Sequence, residues 1–216
     1  MKFEVLFEFE RNLAKYTGAP YVVVTDSCTH ALELCFRYDR ITHCWFTAYT
    51  YLSIPQMLNQ LNVEHRYIDL PWLGEYEFYG TRIMDSARRL ERGMYQDGRL
   101  QCLSFGNGKP MQLGRVGAIL TDDEAAYRTL SMMRSDGRDL NISPWVEQKT
   151  FTQGYHYCPT LELCLLGTQT LPSVNKVPEY VEYPDLRTID FKLEPQYNET
   201  KEADHTGSIL PVILDL

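Results

Sequence analysis

No apolar run in this chain approaches the ~18 uninterrupted residues that a membrane-spanning helix needs. It also lacks any basic run. With a formal charge of -8, a nucleic-acid or membrane-surface partner is not expected, because nothing offsets the acidic balance. Its six cysteines (Cys28, Cys35, Cys44, Cys102, Cys158 and Cys164) include no Cys-x-x-Cys, and no His pair stands at zinc spacing. Neither a metal site nor a disulfide framework is therefore expected, and several of these thiols sit in apolar runs as small core residues. There is no internal repeat and no phosphate loop of the type G-x-x-x-x-G-K-[ST]. The opening MKFEVLFEFERN carries acids where a secretory leader would be apolar, so the expected location is cytoplasmic.

What is present is ordinary for a globular protein: 216 residues, 44% hydrophobic and 23% charged, enough to bury one core. Phe3, Leu6, Phe7, Leu13 and Tyr16 stand at near-helical spacing, and Gly18 follows as a stop. YVVVT, residues 21–25, reads as a strand, followed by Asp26-Ser27-Cys28-Thr29 and a helix over 31–38. A strand ending in hydroxyl residues at a helix N-terminus can seat an anion, although a capped helix explains the same residues. Strands are expected over 43–46, 63–70 and 81–84, the last ending at Asp85, with a helix over 50–61 broken near Pro55. The aromatic stretch PWLGEYEFYG, residues 71–80, reads as a loop. Strand and helix in alternation imply a three-layer α/β fold with a mostly parallel, doubly wound sheet and ligands at the strands' carboxyl ends. Beyond 172, prolines recur among acids and tyrosines, which suggests a body over 1–171 and an extended tail over 172–216.

The chain is organised around QCLSFGNGKPMQLGRVGAILTDD, residues 101–123. Two apolar runs read as buried strands, and the loop between them carries Lys109 among Gly106, Gly108 and Gly114. Desolvation lowers a lysine's pKa, and a neutral amine is a nucleophile able to form a Schiff base. The plainer reading is a solvated loop lysine, and it stands unless other groups converge on the same place.

Set side by side, these segments resemble the DegT/StrS sugar-aminotransferase branch of the fold-type-I pyridoxal-phosphate (PLP) enzymes, from about Phe9 to Gly167. FERNLAKYTGAPYVVVTDSCTHAL is similar to that family's opening helix, first strand and Ser-Gly-Thr turn, and FTAYTYLSIPQMLNQLNVEHRYIDL to its next strands and the helix between them. IMDSARR resembles the Glu-Asp-Ala-Ala-Gln strand end, SFGNGKPMQLGRVGAILTDD the Ser-Phe-x-x-x-Lys segment, and GYHYCPTLELCLLG the Gly-Tyr-Asn-Tyr-Arg segment. The resemblance implies that Lys109 carries the cofactor and shuttles the proton, and that Asp85 pairs with the pyridinium nitrogen. It implies Tyr51 stacked on the ring, where core packing is the alternative, and Asp85 would otherwise be a simple cap. The amides of Cys28 and Thr29, with the hydroxyls of Thr29 and Ser104, would hold the phosphate. Arg88 would lie beside the ring hydroxyl, and His156 would reach the phosphate of a neighbouring subunit, in a homodimer or larger complex.

The departures from the family are specific. Cys28 stands for a glycine, Arg88 for a glutamine, His156 for an asparagine and Cys158 for an arginine. A helix-plus-strand unit is missing between Asp69 and Thr81, so neighbouring strands are expected to close up, and nearly all of the small domain is absent. Two functions follow: a PLP-dependent transfer of an amino group from glutamate to a nucleotide-linked keto sugar, or a non-catalytic relative kept for structure or assembly.

Overall fold

The computed structural model describes residues 3–191; the remainder of the expected tail, 192–216, lies outside the described residues. Helix α1 (Glu4–Thr17) buries Leu6, Phe9, Leu13 and Tyr16 along one stripe and ends at Gly18, whose φ of 80° lets its N–H reach the Ala14 carbonyl. Strand β1 (Tyr21–Thr25) follows. Helix α2 (Cys28–Tyr38) starts three residues earlier than its apolar pattern suggests, because the Ser27 side chain accepts from the His30 N–H and caps it.

The next elements are β2 (His43–Thr47), α3 (Ser53–Gln60), β3 (Glu64–Ile68), β4 (Tyr76–Glu77) and β5 (Ile83–Asp85). Pro55 does not break α3 as expected; it occupies the first helical turn, where its missing N–H has no intrahelical acceptor to lose. Strands β6 (Leu100–Ser104) and β7 (Gly117–Thr121), then helices α4 (Glu124–Arg134) and α5 (Leu161–Thr170), complete the body.

Five strands form one sheet in the order β1-β7-β6-β5-β4, and β2 and β3 form a parallel pair. An antiparallel bridge between Trp45 and Tyr79 joins the two: the Tyr79 N–H donates to the Trp45 carbonyl at 2.8 Å, and the Trp45 N–H returns the bond at 3.3 Å. Strands β1, β2, β3, β5 and β6 consequently share one direction, and β4 and β7 are reversed. Most strands run one way, as expected, but the two reversed strands make the sheet mixed: among the described strands only β5 with β6 and β2 with β3 pair in parallel. The gap left by the missing strand did not close. Instead the aromatic stretch read as a loop enters it, with Tyr76 and Glu77 on β5 and Tyr79 on Trp45.

The two sheet faces divide the apolar residues by alternation. Val23, Cys102 and Ile119 point to the layer of α2, α3 and α4, whereas Val22, Val24, Leu103 and Leu120 point to that of α1 and α5. Outer strand β1 is protected by side chains: the Val24 N–H donates to Glu10 at 2.9 Å and its carbonyl accepts from Arg134 at 2.8 Å. Glu10 and Arg134 also bond directly to each other, both buried. Residues 174–189 lie back along the body, since Tyr16 donates to the Val174 carbonyl and the buried Leu186 donates its N–H to Ala48 at 3.0 Å.

Candidate active site

At the carboxyl ends of β5 and β6, and at the N-terminus of α2, lies a cavity of about 660 Å³. Each wall has a local cause. The turn after β1 places the first N–H groups of α2, those of Cys28 and Thr29, where a helix has no acceptor of its own. Gly117 on β7 lies directly under this turn: a Cβ there would come within 2.4 Å of the Cys28 nitrogen and the Ser27 carbonyl carbon, so only glycine fits. Phe105 and Val116 hydrogen-bond across the base of the lysine loop, and Leu113 donates to Phe105 at 2.7 Å, which ties the loop closed around Lys109.

Asp85 ends β5 and is buried. Its Oδ1 accepts from the Ala87 N–H at 2.9 Å and from the Cys28 thiol at 3.9 Å, and its Oδ2 accepts from the Tyr76 hydroxyl at 2.9 Å. Burial pushes this carboxyl above its usual range, while Lys109, Tyr76, Ala87 and Cys28 pull the other way. Burial holds the Lys109 amine below its ordinary value and Arg88 adds to that, against the opposing charge of Asp85. Burial, with Asp85 beside it, also pushes the Cys28 thiol up, so it stays protonated at neutral pH.

Seven of the eight residues expected from the sequence line this one cavity: Cys28, Thr29, Tyr51, Asp85, Arg88, Ser104 and Lys109. Tyr51 is 57% exposed, which rules out core packing as its role. Thr29 shares a 2.9 Å hydrogen bond with Ser53, and Ser104 accepts weakly from the Gly106 N–H. The Arg88 guanidinium donates to the Gly108 carbonyl, so it lies inside the site and braces the lysine loop. His156 is elsewhere in the chain: its side chain is 89% exposed and pairs with Asp136 at 2.9 Å.

Three residues that sequence reasoning did not single out belong to the site. Tyr76 holds Asp85 and is itself bonded to Thr50 at 2.8 Å. His30 lines the cavity with its ring stacked on Tyr157 at 3.7 Å and its Nδ1 on Asp26 at 2.5 Å. Tyr183 reaches the cavity from the far end of the chain. The spacing of His30 four residues after Asp26 on a helix start was a readable signal; Tyr76 and Tyr183 had none.

Residues 4–71 match the sequence profile of the DegT/DnrJ/EryC1/StrS aminotransferase family. The chain resembles a shortened member of that family. Three solved structures carry the fold comparison. The sugar aminotransferase CalS13 from Micromonospora echinospora has a TM-score of 0.67 at 13% identity, covering 79% of this chain and 60% of that one. PseC from Helicobacter pylori, an aminotransferase involved in the biosynthesis of pseudoaminic acid, gives 0.62 at 14%, covering 79% and 58%. A GDP-4-keto-6-deoxymannose-3-dehydratase, solved with a trapped PLP-glutamate geminal diamine, gives 0.63 at 14%, covering 79% and 61%. The shared fold is that of the PLP fold-type-I aminotransferases, and the chain spans about three-fifths of the length of these relatives. Among curated proteins none matches this sequence.

The residues present fit PLP. A helix N-terminus with unused N–H groups and the Thr29 and Ser104 hydroxyls suits a phosphate, a buried carboxylate suits a pyridine nitrogen, and a desolvated amine suits an aldehyde.

Proposed function

We propose that this chain binds PLP on Lys109 and moves an amino group between glutamate and a nucleotide-linked keto sugar. The observation that carries this reading is the convergence of a depressed lysine and a buried aspartate on one cavity beside a helix N-terminus. When bound, PLP would supply an electron-withdrawing ring that makes a neighbouring C–H bond acidic. The chain's own residues do the rest. Lys109 Nζ, poorly solvated and more easily deprotonated than a free lysine, would take and return the proton. Asp85 would pair with the ring nitrogen, its charged form supported by the donors Tyr76 and Ala87 against the effect of burial. The α2 N-terminus, Thr29 and Ser104 would hold the phosphate, Tyr51 would cover the ring face and Arg88 would lie beside the ring hydroxyl. The substrate classes follow from relatives that handle sugars and glutamate.

In this reading residues 1–171 carry Lys109 and Asp85, and residues 174–189 lie back against them and add Tyr183 to the cavity wall. The chain works as a homodimer in which the exposed His156 reaches the partner's Ser27–Thr29 turn; its 89% exposure leaves it available for that contact. A second reading, a non-catalytic family relative, is favoured by one observation: both Asp85 oxygens already carry donors from the protein.

One experiment separates the two. Protein purified with PLP is expected to show a visible absorbance band, and borohydride is expected to fix the cofactor onto Lys109, read by peptide mass. A colourless protein, unmodified under saturating PLP, selects the second reading.

A further inference from the structure

Residues 174–189 cross the cavity side of the molecule as a strap pinned at several points. At its start, Leu171 is buried and the Val174 carbonyl accepts from Tyr16 at 3.2 Å. In its middle, Pro178 packs onto the backbone at Gly74, where an added Cβ would meet it at 3.2 Å. At its end, Leu186 is 1% exposed and its N–H donates to the Ala48 carbonyl at 3.0 Å. Arg187 then pairs with Asp69 and lies 5.8 Å over the Tyr49 ring. Between the pins, the Tyr183 ring stacks on Trp72 with centroids 5.7 Å apart and planes within 18°, and it lines the Lys109 cavity. Trp72 is in turn fixed, because its indole N–H donates to the Tyr49 carbonyl at 2.5 Å.

From this geometry we infer that Tyr183 is a ligand-contacting residue of the Lys109 cavity, a wall held in place by the strap, and not part of a free tail. An open cavity of about 660 Å³ remains with Tyr183 in position, so the ring borders the ligand space without filling it. Burial raises the Tyr183 hydroxyl, with Asp85, Cys28 and Tyr51 adding and Arg88 opposing, so it remains a proton donor facing the same groups that surround Lys109. A ring-bearing ligand seated between Lys109 and the start of α2 would find an aromatic face on this side.

The inference deepens the PLP reading, and its test has one arm that needs no cofactor. In that arm, trinitrobenzenesulfonate labels the Lys109 amine of the full chain, followed by peptide mass. Tyr183→Ala is expected to speed labelling several-fold and Tyr183→Phe to leave it within about twofold, because the ring alone makes the wall. In the second arm, PLP titrated against the same proteins is expected to bind Tyr183→Ala about tenfold more weakly than the parent. Equal labelling of parent and Tyr183→Ala would overturn the inference, as would tighter PLP binding by Tyr183→Ala, which would make the ring a plug. A parent that binds no PLP but whose Lys109 is exposed by Tyr183→Ala would sink the PLP reading and keep the wall.

Discussion

Asp85 and Lys109 share a poorly solvated space, and their charges sustain each other. The Asp85 charge props up the protonated form of Lys109, although burial still leaves that amine below the ordinary lysine value. Amine labelling of Lys109 against pH should therefore give a midpoint below that of an exposed lysine. In Asp85→Asn the midpoint should move lower still, since the charge favouring the ammonium is gone. A midpoint at the ordinary lysine value in both proteins would mean a solvated loop amine. The same substitution should lower any transamination by several orders of magnitude while circular dichroism stays unchanged; equal rates would leave Asp85 as an Asx cap on Ala87. Much of this was legible from residue type alone, because a lysine among glycines between two apolar runs and an aspartate at a strand end carry their chemistry locally. Tyr76 and Tyr183 were not. Both act through contacts with distant parts of the chain: the alternation of Glu75, Tyr76, Glu77 and Phe78 has strand period but does not point to Asp85, and Tyr183 lies in no periodic stretch.

At the scale of elements, the anion-binding turn depends on how closely β7 passes beneath it. Gly117→Ala places a methyl 2.4 Å from the Ser27 and Cys28 backbone, so either the turn lifts or the strand slides. A loss of about 1–3 kcal/mol in urea unfolding is expected from overpacking of this kind. Phosphate or PLP affinity should fall in step, because the N–H groups of α2 move with the turn. An unchanged unfolding midpoint would show that the turn yields freely. The strands β1, β2, β6 and β7 and the helices α1 and α2 were readable from period and caps, to within a few residues. The Tyr76–Tyr79 insertion was read as a loop although Glu75 to Phe78 alternates polar and aromatic as a strand does; its place between β5 and β2 had no local signal.

Across the whole molecule, apolar side chains such as Trp145, Val146 and Phe151 stand exposed in the polar connection after α4, and His156 projects nearby in sequence. A dimer at micromolar concentration is expected in sedimentation equilibrium, and His156→Ala should weaken PLP retention without dissociating it. A monomer with no co-purifying protein would sink the shared-site assembly. The bridge between Trp45 and Tyr79 has a kinetic consequence. Strands β1, β7 and β6 meet through ladders of four or five residue pairs, whereas among the described residues β2 and β3 join the main sheet through the Trp45–Tyr79 bridge and the side chains packed around it. That is a seam between two cooperative units. Native-state amide exchange should find β2, β3 and α3 opening together at lower free energy than β1, β6 and β7, and mild denaturant should release this wing before the sheet that carries Asp85 and Lys109.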